Sequence, residues 1–251
     1  MNYNWNWSVF LDLSSNGQHT FMETLFHGFL WTLATGVSAG IIAFFLGSVI
    51  GIAVTFPAKW IRIAAHSYIE VFRNIPLLVQ MFVWYFVVPE LLPEAAGRAV
   101  KSLEYGAFYT AVLSLSLYTA SRIAVQVYAG INAVGPRQRM AGQAVGLTLP
   151  QIYRYVILPM VYRIIIPPLT SEAMGVIKNS AVALTIGVVE LTASARAMQE
   201  YSFQTFEAFI AATLIYMGIS LLIVICMTTL ERVVALPGFM GQGSSGRKEK
   251  P

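Results

Sequence analysis

The sequence predicts an all-α polytopic membrane protein with five transmembrane helices, and two observations carry that prediction. Of its 251 residues, 57% are hydrophobic and 11% are charged, against roughly a quarter charged in soluble domains. The apolar residues also fall into long blocks, each at or above the roughly 20 residues that cross a hydrocarbon core. No polar stretch between them is long enough to hold a separate soluble domain. The net charge of +4 sits mostly at loops and block ends, where topology accounts for it, so it points to no nucleic acid.

The first 25 residues contain no Lys or Arg and no short apolar core of the signal-peptide kind. Asn4-Trp5-Asn6-Trp7 reads instead as an interfacial aromatic segment. Block one covers 26–56. Its Gly36/Gly40 and Gly47/Gly51 pairs are small-xxx-small patterns that let helix backbones approach closely, within the bundle or across a dimer. A short basic turn with Pro57, Lys59 and Arg62 leads to block two, 63–92. Glu70, Arg73 and Asn74 interrupt it at helical spacings, and Pro76 breaks it; the polar group is either a structural ion pair beside a kink or part of a pathway. Residues 89–105 read as a loop of mixed sign. Block three, 107–133, carries Ser114, Tyr118, Arg122 and Gln126 at four-residue steps, a polar stripe along one helix face. Block four, 160–190, is interrupted by Pro167-Pro168, Gly175 and Lys178-Asn179-Ser180; a polar connection at 191–205 precedes block five, 206–230. The Gly/Ser-rich charged end of the chain is expected to be disordered.

Five spans place the termini on opposite sides. Lys59, Arg62, Arg137, Arg139, Arg154, Arg232, Arg247, Lys248 and Lys250 share one side, and only Arg98, Lys101 and Arg196 the other. The positive-inside rule then puts the N-terminus outside and the C-terminus in the cytoplasm. The expected organisation is an outer segment at 1–25, a membrane domain at 26–232 and a cytoplasmic tail at 233–251.

The stretch 136–159 is the most informative. It carries helix-forming signals yet is too polar to enter a bilayer. Gly135-Pro136 suits a helix start, and Gly142 and Gly146, four apart, would leave one face of a short helix at about 136–147 bare for close packing. Arg137 and Arg139 near its N-terminus oppose the helix dipole, which an acidic partner would offset. Thr148-Leu149-Pro150 starts a further helix. The spacing resembles the cytoplasmic signature of ABC-importer permeases: Glu-Ala-Ala, three residues, Gly, nine residues, Ile-x-Leu-Pro. Ala141, Gly146, Val156, Leu158 and Pro159 match, while Met140 stands in place of Glu and Gly142 in place of Ala. Glu70-Val71-Phe72-Arg73-Asn74-Ile75-Pro76-Leu77-Leu78-Val79-Gln80, Ile177-Lys178-Asn179-Ser180 and Ile186-Gly187-Val188-Val189-Glu190-Leu191 resemble further motifs of the polar amino acid (histidine/glutamine) branch. With Asn4-Trp5-Asn6-Trp7 and Leu236-Pro237-Gly238, the chain is most similar to the glutamate/aspartate permease subunits.

That resemblance implies a type I ABC-importer permease, moving an acidic amino acid across a bacterial inner membrane by alternating access. It implies a second permease subunit, identical or similar, a dimer of cytoplasmic ATP-binding subunits that hold ATP and Mg, and a periplasmic amino-acid-binding protein. Arg139, Met140, Ala141, Gly142, Gly146, Leu158 and Pro159 would form the ATPase-coupling site. Within the bilayer, charged side chains are costly and mark function by default. Arg122 could take a substrate carboxylate through its bidentate guanidinium, or pair with Glu70 or Glu172. Lys178, Glu172, Gln126, Tyr118, Glu70 and Arg73 complete the candidate path. The same fold could carry glutamine or arginine instead. An ion-coupled secondary transporter would call for an internal repeat among the spans, and none is visible. The chain has no Gly-x-x-x-x-Gly-Lys-Ser/Thr phosphate loop, no metal-ligand spacing among His19, His27 and His66, and a single Cys226 inside block five. No catalytic residue, metal or cofactor of its own is therefore expected.

Overall fold

A computed structural model describes residues 3–14 and 17–234; the expected disordered end and Leu236-Pro237-Gly238 lie outside the described residues. A 3₁₀ turn, Trp7–Leu11, precedes α1 (Phe21–Ala53). The helix begins earlier than the apolar block that starts at 26, because Thr20 and Glu23 close a capping box across its first turn. Its 33 residues make it roughly 50 Å long, more than the ~30 Å hydrocarbon core, so its polar first turn can stand outside the bilayer.

Block two is not one straight span. α2 (Lys59–Asn74) meets α3 (Leu77–Phe82), which runs through a π turn, Val83–Val87, into α4 (Val88–Leu91); the two arms bend by 103°. Pro76 holds Ile75 extended, as proline does to the residue before it. The break orphans carbonyls, and buried Gln80 answers them: its Nε2 donates to the oxygens of Phe72 and Ile75, each at 2.8 Å. The expected 89–105 loop contains the short helix α5 (Glu94–Lys101). Arg98 pairs with Glu94, and Lys101 with Glu90.

α6 (Gly106–Ala144) is the central mast, with non-helical backbone at Gly135 alone. α7 (Leu149–Ile152), a π turn at Tyr153–Ile157, and α8 (Leu158–Ile164) form the next arm. It turns at Ile165 into α9 (Ile166–Asn179) and a 3₁₀ segment, Ser180–Ile186; this pair bends by 62°. Each π turn ends two residues before a proline, Pro89 or Pro159. The proline ring would strike the carbonyl four residues back, and shifting the preceding bond to a five-residue register makes room. Residues 191–205, expected as a polar connection, fold as α10 (Leu191–Ser202), whose Leu191, Ala195 and Met198 are buried. α11 (Thr205–Val234) closes the described chain.

Among the described residues, three helices (α1, α6 and α11) are long and apolar enough to cross a membrane, and counting each bent pair as one span gives five, the number of apolar blocks. The small-residue pairs of α1 serve packing within the chain. A Cβ at Gly47 would lie 2.7 Å from the carbonyl oxygen of Ala120, and one at Gly51 equally close to that of Ala124. α11 packs on α9 and α10 and leaves Leu214, Met217, Leu221 and Ile225 exposed.

Overpacking a close seam costs about 1–3 kcal/mol. Gly47→Val should therefore lower the thermal midpoint and membrane accumulation of the protein. Gly218→Val, where a Cβ meets nothing within 4 Å, should match wild type; equal behaviour of both variants would count against the seam.

Candidate functional site

Two groups of candidate residues come together, one at membrane depth and one around the C-terminal end of α6. On the polar stripe of α6, Arg122 Nε donates to Glu172 Oε2 at 2.7 Å, and Nη2 to Oε1 at 3.1 Å. Gln126 Nε2 adds a third bond to Oε1 at 2.9 Å. Glu172 is 8% exposed, while 45% of the Arg122 side chain remains open. The bend at Ile165 turns α9 so that it lies along α6, which brings Glu172 to this stripe. Of the two carboxylates that could have met Arg122, the fold selects Glu172. Glu70 is exposed and takes Asn74 Nδ2 at 3.0 Å. The ion pair that sequence spacing suggested between Glu70 and Arg73 is not formed. The two residues share one turn of α2, and the asparagine amide fills that acceptor instead.

This pairing changes the expected role of Arg122. Its fork is already engaged, so a substrate carboxylate can only share the remaining guanidinium donors. Tyr118 lies half-buried one turn before Arg122, and Ser114 is fully buried two turns before it. Lys178 is exposed on α9, and among the described residues it forms no ion pair. It is the uncompensated cation nearest this cluster in sequence.

Beyond Gly135 (φ 75°) the mast continues as a short helical segment over 136–144, starting at Pro136. Gly142 and Gly146 do not share its face, contrary to the spacing. Gly146 lies past the helix end with φ 83°. Its N–H bonds to Gln143 O at 3.0 Å, and that of Leu147 to Gly142 O at 3.1 Å. These two bonds form a Schellman motif, in which a left-handed glycine satisfies the last carbonyls. Gly142 is buried and faces inward: a Cβ there would sit 2.8 Å from Ile152 Cγ1. The bare backbone thus meets the chain's own α7, itself started by a Thr148/Gln151 capping box. What the segment offers outward is Arg137, Arg139, Met140, Ala141 and Gln143. Leu158 is half-buried and Pro159 exposed at the start of α8.

Sequence reasoning quoted Glu190 only as part of a motif and missed its role. Its carboxylate is fully buried. It accepts from the N–H groups of Thr192 and Ala193 at 2.9 and 2.8 Å, Tyr216 Oη at 2.7 Å and Thr32 Oγ1 at 3.3 Å. One side chain caps α10 and ties it to α1 and α11. The available signal was an acidic residue directly before a helix, the N-cap position.

Residues 43–235 match the family described as the binding-protein-dependent transport system inner membrane component. The chain belongs to this family. Within it, the permease sits among the amino acid permeases. It is 45% identical over 246 residues to the glutamate/aspartate import permease protein GltJ of Escherichia coli (strain K12), covering 96% of this chain and 99% of the relative. It is 30% identical over 203 residues to the glutamine transport system permease protein GlnP of the same organism, covering 81% and 88%. The permease also superimposes on a solved amino acid ABC transporter described with histidines, with a TM-score of 0.72 at 30% identity, covering 85% of this chain and 95% of that one. The MetNI methionine ABC transporter shares the fold, with a TM-score of 0.71 at 21% identity and coverage of 89% and 100%. The expected all-α importer-permease architecture and its multi-pass place in the inner membrane are thereby established.

Removing Arg122 leaves a buried carboxylate without its cation. Arg122→Ala should therefore destabilise the permease, and adding Glu172→Ala should recover part of the loss. Because Arg122 is nearly half exposed, the coupling in a double-mutant cycle on thermal unfolding should be about 0.5–2 kcal/mol. Strictly additive effects would mean that the pair contributes nothing.

Proposed function

We propose that this permease is the non-catalytic transmembrane subunit of an ATP-driven importer for acidic amino acids, glutamate and aspartate. The observation that carries this reading is the 45% identity to GltJ over nearly the whole of both chains. A periplasmic binding protein delivers the amino acid, and a second permease subunit, identical or similar, completes the pore. ATP and Mg belong to a dimer of cytoplasmic ATPase subunits; this chain binds no cofactor. Its N-terminus is periplasmic and its C-terminus cytoplasmic.

In this reading the 136–144 segment is the coupling helix, and Arg137, Met140 and Ala141 face the ATPase. Gly135 lets the segment swivel against the mast, while its close contact with Ile152 makes α7 follow. α7 continues through the π turn and α8 into α9, which carries Glu172 and Lys178. Closure of the ATPase dimer would thus shift α9 along α6 and rearrange the Arg122–Glu172–Gln126 cluster. A substrate carboxylate would meet Lys178 and the open side of Arg122. Charge-assisted bonds of this kind are about twice as strong as neutral ones, which favours a dicarboxylic amino acid over glutamine.

Uptake into proteoliposomes containing the reconstituted complex should be competed by glutamate and aspartate, and not by glutamine or arginine. Competition by glutamine alone would move the permease to the glutamine carriers. Gly142→Val would wedge the coupling segment off Ile152 at about 1–3 kcal/mol. Substrate-stimulated ATP hydrolysis should then fall about tenfold while the subunits still co-purify. Full stimulation in that variant would reject the proposed route from coupling helix to α9.

A further inference from the structure

Near the coupling segment lies a partly open cavity of about 600 Å³, between the 55–57 turn, α2, the coupling segment and the α7–α8 arm. Its size falls within the roughly 300–1,000 Å³ of small-ligand sites. Arg62, Arg139 and Arg154 line it, from three separate segments, and no acidic residue does. None of the three belongs to any ion pair among the described residues. Arg154 lies over the ring of Tyr155 at 5.6 Å, and Tyr153 Oη donates to Thr55 Oγ1 at 3.0 Å; neither contact supplies negative charge. The remaining wall is apolar, with Ile52, Phe56, Leu149 and Leu158.

The positive-inside rule explains why arginines occur on this side. It does not explain why three of them converge on one cavity with an apolar floor. A free phosphate would satisfy the guanidinium groups and leave that floor against water. An acidic protein surface would likewise match only the charges. A molecule with an anionic phosphate head and an acyl tail matches both halves, and basic pockets between transmembrane helices on the cytoplasmic side suit such headgroups. Arg is also the side chain whose planar fork fits phosphate oxygens two at a time.

We propose that this cavity binds an anionic phospholipid of the cytoplasmic leaflet, its phosphate held by Arg62, Arg139 and Arg154 and its acyl chain laid on Ile52 and Leu158. Because Arg139 belongs to the coupling segment, an occupied site would tie the ATPase-facing helix to the membrane. The site rests on the cytoplasmic orientation proposed above and is independent of which amino acid is carried.

The test is native mass spectrometry of the permease complex, purified from membranes and exchanged into nanodiscs of phosphatidylethanolamine with graded phosphatidylglycerol or cardiolipin. Wild type should retain the anionic lipid on release. Arg62→Ala with Arg154→Ala should weaken retention about 25-fold, from roughly fivefold per arginine. Arg62→Lys with Arg154→Lys keeps the charge and should retain most of it, which separates lipid binding from folding. Millimolar inorganic phosphate should not displace the lipid. Equal retention in all variants would overturn the proposal, and displacement by phosphate would make this a soluble-anion site instead. Loss of the ATPase subunit with lipid retention unchanged would assign the arginines to that partner. These readouts stay silent on substrate, so failure here leaves the glutamate/aspartate reading standing, and failure of that reading leaves this one.

Discussion

Direct backbone contact between α1 and α6 sets the positions of the other elements. Lipid tails are as apolar as leucine, so helices in a bilayer associate through close packing more than through water exclusion. At Gly47 and Gly51 the absent side chains let α1 lie against the carbonyls of Ala120 and Ala124. Arg122 stands between those two turns of α6 and points away from the seam. Fixing α6 against α1 therefore fixes the direction in which its polar stripe faces, and Glu172 can only reach that stripe once α9 is laid along it.

Two of the buried carboxylates, Glu172 and Glu190, illustrate different answers to the cost of charge at membrane depth. Glu172 is met by a cation, with a glutamine sharing the load. Glu190 has no cation and is satisfied by two helix N–H groups and two hydroxyls. The first arrangement holds two helices through an exchangeable contact whose arginine stays open to the outside. The second is enclosed, and joins α1, α10 and α11 at one point. A pathway that must rearrange is better served by the first, and a fixed frame by the second.

Proline shapes the connection between the two ends of the molecule. Pro76, Pro89 and Pro159 each remove a donor from a helix, and the chain answers with an extended residue, a Gln80 staple or a π turn. Two spans bend where three run through, one at Ile75-Pro76 and the other at Ile165, just before Pro167-Pro168. The second bent span is also the one that reaches from the coupling segment to Glu172, so the irregularity lies on the proposed route for conformational change. A straight helix there would point α9 elsewhere.

The sequence by itself determined the class, the apolar blocks that become the five spans, their order and the place of the polar helical segment that follows Gly135. Apolar block length is dictated by bilayer thickness, and Gly135-Pro136 and Thr148-Leu149-Pro150 carry their own helix-start chemistry. It also placed Arg122, Glu172 and Gln126 among the residues to watch. What only the tertiary structure decided is which groups meet. Periodicity gives the face of a residue on its own helix, but neither the rotation nor the depth of the neighbouring helix, so Arg122 could have taken Glu70 as readily as Glu172. The same limit applied to the glycines: a four-residue step put Gly142 and Gly146 on one face only if the helix ran through both. It ends between them, because Gly146 can adopt the left-handed conformation that closes a helix, and Gly142 then turns its bare backbone to Ile152.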